Sequence, residues 1–160
     1  GEIGTGAVAA GTPSDRLVGT LVHRLLARVG FGAGIDTTRD VASRLIRPEE
    51  SLDTSSDVIE AAIEAHRALA ARDDVRLMFA AGRALHEVPF TMEIDGTWIR
   101  GTIDCVVCAE DRVTVLEFKT GRPRPEHREQ VELYRRAASQ MFPGRVTEAH
   151  LVYAGEAPSV

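Results

Sequence analysis

The chain is poor in the residues that mark several common classes of protein. Only two of its 160 residues are cysteines, and only one is a tryptophan. Two cysteines are too few for a disulfide framework, or for a zinc or iron–sulfur centre built on four thiolates. No apolar run approaches the roughly 18 residues that a membrane-spanning helix needs, so the sequence predicts no membrane partner.

The chain also lacks an excess of positive charge, since its formal net charge is −5. This balance argues against non-specific binding of duplex DNA over the whole surface. It leaves room for a local basic path and for an acidic centre neutralised by metal. An initiator methionine and a basic leader followed by an apolar segment are absent as well. We therefore expect an excised piece of a longer, cytoplasmic protein.

What remains is an ordinary globular composition, with 44% apolar and 27% charged residues. Residues 1–15, rich in glycine, alanine and threonine, are predicted to be a linker or a disordered end. Residues 16–160 are predicted to be a single domain, with a helical part over 16–83 and a sheet core over 84–160.

The periodicity of hydrophobic residues predicts the helices and strands. An apolar stripe at helical spacing gives way near residue 84 to alternating patterns typical of strands. The final strand–helix–strand connection is long enough to bring the last strand parallel to a neighbour. We predict an α/β domain with a central mixed sheet of about four to five strands flanked by helices. The predicted helices cover 16–29, 38–46, 57–72, 75–81 and 126–142, and the predicted strands cover 84–94, 97–108, 113–120 and 146–153.

The two cysteines form a lone Cys-x-x-Cys motif, Cys105 and Cys108, within a predicted strand. A redox motif of the thioredoxin kind should open a helix, and a metal site needs further ligands that this chain does not offer nearby. We interpret both residues as small apolar members of the strand.

The most informative stretch is the predicted hairpin over residues 98–121. Its first strand carries Asp104, and its second carries Glu117 and Lys119 on one face, because strand side chains alternate. Carboxylates inside an apolar sequence require partners, and a divalent metal ion can serve two at once. The alternative is an exposed, salt-bridged edge, which would contribute little to stability.

Four more polar residues fall on otherwise apolar elements. His23 lies on the first helix, Glu87 on the first strand, and Gln130 and Tyr134 lie four apart on the last helix. Each has a structural alternative: a satisfied boundary histidine, an edge-strand charge beside a proline, or ordinary helix packing. Their joint order along the chain favours a functional interpretation.

That order resembles the RecB-type branch of the PD-(D/E)xK nucleases, in particular the C-terminal nuclease domain of AddA-like and RecB-like helicase–nucleases. Glu117 departs from the aspartate common in this branch, and the four-cysteine arrangement of some relatives is absent, so no iron–sulfur cluster is expected. The matching segments, in chain order, are Gly19-Thr20-Leu21-Val22-His23, Glu87-Val88-Pro89, Gly101-Thr102-Ile103-Asp104, Glu117-Phe118-Lys119-Thr120-Gly121 and Gln130-Val131-Glu132-Leu133-Tyr134.

The resemblance implies a restriction-endonuclease-like core and hydrolysis of phosphodiester bonds with one or two Mg²⁺ or Mn²⁺ ions. The metal ligands it implies are His23, Asp104, Glu117 and the backbone carbonyl of Phe118. Lys119 would position or deprotonate the attacking water. Glu87 would complete the catalytic set, directly or through water.

The resemblance further implies that Gln130, Tyr134 and Thr120 hold the water, the lysine or the DNA backbone. Arg122 and Arg124, in the turn after the third strand, are expected to contact phosphates. The implied parent is an ATP-dependent helicase–nuclease of the bacterial, nucleoid-associated cytoplasm, which degrades single-stranded DNA ends during double-strand-break repair and recombination. Its implied partners are DNA, the helicase domain of the same chain and a second helicase–nuclease subunit.

Two alternatives stay open from the sequence. The domain could be a non-catalytic DNA-binding or scaffolding module with a nuclease-like fold, although intact catalytic positions argue against this. It could also be an RNA endonuclease, because a similar set of side chains cuts RNA.

Overall fold

The computed structural model describes residues 12–155 of the chain. Two helical parts enclose a four-stranded sheet, which confirms the predicted α/β class. A short 3-10 helix at Pro48–Glu50, not predicted, follows the second helix. The helices are α1 (Pro13–Val29), α2 (Ile35–Arg44), α3 (Ser56–Ala70), α4 (Asp73–Ala80) and α5 (Pro125–Met141); the strands are β1 (Arg83–Ile94), β2 (Thr97–Cys108), β3 (Arg112–Lys119) and β4 (Val146–Tyr153).

The strands lie in the order β1-β2-β3-β4, so neighbours in sequence are neighbours in space. The first three are antiparallel to one another, whereas β4 runs parallel to β3. Helix α5 provides the connection that this parallel pairing requires. The sheet is therefore mixed, with the predicted strand–helix–strand unit at one edge.

Helix α1 begins at Pro13, three residues before the predicted start. Thr12 is its N-cap: the Thr12 hydroxyl accepts from the Asp15 backbone N–H, and the Asp15 carboxylate accepts from the Thr12 N–H. This reciprocal capping box satisfies two otherwise unpaired donors. The helix thus includes the end of the segment predicted as a linker, and residues 1–11 of that prediction lie outside the described part.

Helices cover both faces of the sheet. Leu21, Val22 and Leu26 of α1 pack with Leu69 of α3 against one face, where Phe118 is also buried. On the other face, the small residues Ala137 and Ala138 of α5 pack against Phe90, Ile103 and Val115. Strand β3 is buried on both faces, which is why its sequence is a nearly continuous apolar run. Within residues 12–155, no helix is both long and apolar enough to span a bilayer.

The two cysteines lie on opposite faces of this sheet. Cys105 is fully buried in the cluster beneath α1, whereas Cys108 packs against the cluster beneath α5. Burial, then the charges of Asp104 and Glu117, raise the pKa of the Cys105 thiol to about 12. Both thiols are free, and their placement agrees with their interpretation as apolar strand residues.

The start of β1 depends on a close backbone approach at Gly82. A Cβ atom at this position would lie 2.3 Å from the carbonyl oxygen of Cys108. We expect Gly82→Ala to destabilise the chain by about 1–3 kcal/mol, because backbone cannot move aside as a side chain can. Urea unfolding followed by circular dichroism measures this change.

Gly32→Ala is the matched control, since a Cβ at Gly32 would meet no atom within 4 Å. It should leave the free energy of unfolding unchanged or slightly higher, by reducing the freedom of the unfolded chain. Equal unfolding midpoints for the two variants would contradict the close approach.

Candidate active site

Three acidic residues stand in one row across the sheet. The pairing register sets Glu87 of β1 beside Asp104 of β2, and Asp104 beside Glu117 of β3. However, Glu87 and Asp104 are not paired with each other, although the residues on either side of them are. The pairing of β2 with β3 ends at Cys105, one residue after Asp104. The strands therefore part at this row, which leaves room for side chains between them.

Side chains replace the missing backbone bonds. The Asp104 backbone N–H donates to Glu117 Oε1 at 3.0 Å, and the Phe118 backbone N–H donates to Asp104 Oδ2 at 3.3 Å. Each carboxylate thus satisfies a donor on the neighbouring strand. The exchange fixes both side chains in the gap between β2 and β3.

Helix α1 contributes the third polar group at this gap. His23 Nε2 lies 2.8 Å from the Phe118 carbonyl oxygen and 3.2 Å from Asp104 Oδ2. Because a carbonyl can only accept, the proton lies on Nε2 and the histidine donates. Two oxygens from two strands and one ring nitrogen therefore converge on one point.

Glu117 has the most perturbed environment of the site, with only 2% of its surface exposed. Burial, reinforced by the neighbouring Asp104 carboxylate, raises the pKa of Glu117 to about 9. The attraction of Lys119 lowers it, but by less. Because like charges repel, two carboxylates this close are both ionised only when a cation lies between them.

Lys119 is held by α5 rather than by either carboxylate. Its Nζ donates to Gln130 Oε1 at 2.7 Å, and Gln130 Nε2 donates to the Tyr134 hydroxyl at 3.1 Å. Burial raises the pKa of Tyr134 to about 12, so the hydroxyl stays protonated. The three predicted residues form one chain of hydrogen bonds that aims the ammonium at the site.

Gly101 leaves room for the aromatic ring that packs against Tyr134, at the end of this chain of hydrogen bonds. The Phe90 ring packs edge-on against Tyr134, with ring centroids 5.5 Å apart, and it also lies directly over Gly101. A Cβ at Gly101 would meet the Phe90 ring at 2.8 Å. The glycine of the Gly101-Thr-Ile-Asp104 segment thus has a packing reason, independent of any ligand.

The donor atoms at this point suit a divalent metal ion in kind, although they are not arranged as a complete set of ligands. Within residues 12–155, no three His, Cys, Asp or Glu side chains form a ready-made metal cluster. The converging atoms nevertheless suit Mg²⁺ or Mn²⁺ in kind: one carboxylate oxygen, one carbonyl oxygen and one imidazole nitrogen, with a second, buried carboxylate adjacent. The residues fit such an ion, and Glu117 would have to turn from the Asp104 amide to join them.

Beside this point lies an open cleft of about 640 Å³. One wall carries arginines that sequence reasoning missed, Arg24 and Arg28 of α1 and Arg47 of the loop after α2. The other wall carries Glu87 and Asp104. Arg24 is fixed by Glu50, through bonds of 2.8 Å to both carboxylate oxygens, and by the Leu45 carbonyl.

A signal for the helical part of this wall was present in the sequence. Thr20, Arg24 and Arg28 follow one another at four-residue spacing, so they lie on the α1 face that also carries His23. Arg47 had no such signal, because only the packing of its loop brings it to the cleft.

The predicted DNA contacts after β3 lie elsewhere. Arg122 is exposed in the turn, and Arg124 is the N-cap residue of α5. Neither of them lines the cleft within the described residues. Thr120 lies against α1, with its hydroxyl 3.3 Å from where a Cβ of Gly19 would be. The structure thus brings Thr120 to the helix that carries His23, but separates Arg122 and Arg124 from the cleft.

Three further histidines differ in their settings. His66 is buried, with Nε2 2.7 Å from the Gly30 carbonyl, and His127 lies 2.8 Å from the Tyr153 hydroxyl. His86 lies beside the site, in a small recess shared with His23 and Phe118. Burial lowers the pKa of His86, which favours its neutral form.

The fold and this arrangement of side chains define a nuclease class. A family model described as the PD-(D/E)XK nuclease superfamily matches residues 5–158. The chain belongs to this superfamily, and its core is restriction-endonuclease-like.

Two curated proteins of one kind are similar to this chain in sequence. Both are the A subunit of an ATP-dependent helicase/nuclease. The chain is 28% identical to the one from Anoxybacillus flavithermus over 159 residues, 89% of this chain. It is 44% identical to the one from Moorella thermoacetica over 59 residues, 34% of this chain. These matches span only 13% and 4% of the relatives' own lengths.

Glu87 carries backbone strain at the edge of this site. Its φ is +52°, a left-handed conformation that residues with a Cβ rarely adopt. We expect Glu87→Gly to be more stable than Glu87→Ala by about 1 kcal/mol, because only glycine relieves the strain. Thermal unfolding of both variants measures the difference, and a less stable glycine variant would contradict stored strain at this position.

Proposed function

We propose that this domain hydrolyses phosphodiester bonds of DNA with the help of bound Mg²⁺ or Mn²⁺. One observation carries the proposal: Asp104 Oδ2 and the Phe118 carbonyl oxygen both lie within 3.2 Å of His23 Nε2. Membership of the nuclease superfamily supports the reaction class.

His23, Asp104, Glu117 and the Phe118 carbonyl are the proposed ligands of one or two ions. When bound, such an ion activates water and stabilises the charge that grows on the phosphate and on the leaving oxygen. Glu87 faces the same cleft from β1 and adds a carboxylate for a second ion or an ordered water.

Lys119 is proposed to orient the attacking water or to accept its proton. It is the single lysine of the chain, whose other 18 basic residues are arginines. Arginine stays protonated at any ordinary pH, whereas a lysine in a tuned site can exchange a proton. Gln130 and Tyr134 act as positioning residues, since they hold the ammonium through hydrogen bonds.

The remaining predicted contacts serve the nucleic acid. Thr120 supports the turn after Lys119, and Arg122 and Arg124 are proposed to contact the phosphate backbone on the far side of that turn. These contacts would make binding weaken as salt rises.

The two relatives support a wider setting. We propose that the domain belongs to an ATP-dependent helicase–nuclease of the bacterial, nucleoid-associated cytoplasm. A helicase domain of the same parent chain would deliver single-stranded DNA, and a second helicase–nuclease subunit would complete the enzyme. The proposed role is exonucleolytic processing of double-strand breaks for repair and recombination.

Cleavage by the purified chain tests the reaction. Labelled single-stranded DNA, duplex DNA and RNA are incubated with Mg²⁺, Mn²⁺ or EDTA. We expect cleavage of single-stranded DNA with metal only, and a loss of about 100-fold or more in Asp104→Asn and Lys119→Ala.

Asp53→Asn is the control, because it removes an exposed carboxylate that does not line the cleft and should leave cleavage unchanged. Full activity in Asp104→Asn would refute the assignment. Faster cleavage of RNA than of DNA would replace the proposed substrate. Inactivity of both the chain and the parent enzyme would favour a non-catalytic module.

His23→Ala tests the histidine as a ligand. Loss of one ligand weakens the affinity for the metal more than it lowers the rate of cleavage once the site is saturated with metal. We therefore expect the metal concentration for half-maximal cleavage to rise by about 10–100-fold, with partial recovery at high Mn²⁺. An unchanged metal dependence would remove His23 from the ligand set.

A further inference from the structure

The paired strands β1 and β2 form a long ribbon with two unlike faces. Toward α5, Phe90, Met92 and Ile103 are buried in the core, with Ile99 packed against them. The alternate residues of β2 point the other way because strand side chains alternate. They are Trp98, Arg100, Thr102 and Asp104, of which the first three are exposed.

On this second face, Trp98, Arg100 and Thr102 belong to none of the buried hydrophobic clusters of the described residues. Trp98 is 67% exposed and is the single tryptophan of the chain. It lies just after the β1–β2 turn, six residues before Asp104. At about 3.4 Å per residue, the row extends roughly 20 Å from the tryptophan to the proposed reaction centre.

The row leads into the cleft already described. Thr102 and Asp104 line the cleft, and Arg28 and Arg47 form its opposite wall. Both arginines are exposed, and neither makes a salt bridge within residues 12–155, nor does Arg100. Arg47 is also attracted to the Glu50 carboxylate. Cations without a salt bridge among the described residues therefore lie in the row itself, at Arg100, and across the cleft from it, at Arg28 and Arg47.

Negative charge is also present. Glu93 lies opposite Trp98 in the pairing register, and Glu87 lies beside Asp104. An acidic protein partner would be repelled at both positions, and so would a phosphate placed over them. A strand that follows the β2 row, with its bases toward Trp98 and its phosphates toward the arginines, avoids both carboxylates.

We propose that this row of β2 is a track for single-stranded DNA, along which the substrate runs from Trp98 past Arg100 and Thr102 to Asp104. The proposal rests on the nuclease function above and adds the path of the strand. Trp98 stacks on an unpaired base, while Arg100, Arg28 and Arg47 contact phosphates.

The same geometry favours a single strand over a duplex. An exposed indole recognises the flat face of a base, and in a duplex those faces are stacked on one another. The track therefore selects unpaired DNA by stacking and not by sequence. It approaches the site from the β1–β2 side, opposite to the arginines that follow β3.

The single tryptophan makes the track directly observable. The whole chain is titrated in EDTA, which prevents cleavage, with an oligothymidylate of about 16 nucleotides. We expect saturable quenching of Trp98 fluorescence that weakens with salt, and little quenching by a blunt duplex of the same length. Affinity is measured in parallel from the fluorescence anisotropy of a labelled strand.

Variants separate stacking from charge. Trp98→Ala should lower the affinity for the single strand by roughly 5- to 150-fold, and Trp98→Phe by much less, because phenylalanine retains an aromatic face. Arg100→Ala should reduce the slope of log affinity against log salt by about 0.7. Leu52→Ala, which removes an apolar side chain that is 97% exposed elsewhere, should bind like the unaltered chain.

Failure of the track and failure of the nuclease function give different results. If the chain cleaves DNA but Trp98 is not quenched and Trp98→Ala binds normally, the track is overturned and catalysis stands. If the strand quenches Trp98 and Trp98→Ala binds weakly, but no metal supports cleavage, the track stands and the proposed catalysis fails. An affinity lost equally for duplex and single strand in Trp98→Ala would also overturn the track as a selector of unpaired DNA.

Discussion

The site is built around a carboxylate that water cannot reach. Glu117 lies inside the sheet with 2% of its surface exposed, one strand away from Asp104. An ionised pair in such a place is unstable without donors or a cation. The neighbouring elements supply what is needed: backbone amides from the adjoining strands, an imidazole from α1 and an ammonium held by α5. Burial, reinforced by the neighbouring Asp104 carboxylate, nevertheless raises the pKa of Glu117 to about 9.

The sheet accommodates this row by giving up its own hydrogen bonds. Pairing is interrupted at Glu87 and Asp104, while β3 remains fully paired with β4 through Glu117 and Lys119. One side of the row is therefore open and strained, with Glu87 in a left-handed conformation, and the other side is rigid. A rigid strand that carries Glu117, Phe118 and Lys119 beside a parted strand that carries Asp104 gives a site with fixed walls and space between them.

Much of this was predictable from the sequence, because strand alternation and helix spacing are local properties. The bounds of β2 and β4 agree with the prediction, and the other strands and helices differ by a few residues at their ends, where caps decide, as Thr12 does for α1. The convergence of His23 with Asp104 followed from the resemblance and not from spacing. Arg47 was out of reach, because a loop residue acquires its position only from tertiary packing. The rarity of lysine was a readable signal: one lysine among 19 basic residues stands at the site.

The distribution of charge explains how a chain of net charge −5 can admit a polyanion. Many of its arginines are neutralised locally, as Arg39 is by Glu60, Arg135 by Glu132 and Arg112 by Glu148. Arg28 and Arg47 line the cleft and make no salt bridge within residues 12–155, so they leave positive charge at this entrance. Positive charge at a groove of an acidic protein steers the direction from which a polyanion approaches more than it raises the overall affinity. Such a domain suits a strand supplied by a neighbouring part of a larger protein. On the proposed track, the proposed metal site would lie at the end of the path, so that a strand would meet the buried Glu117 only after following it.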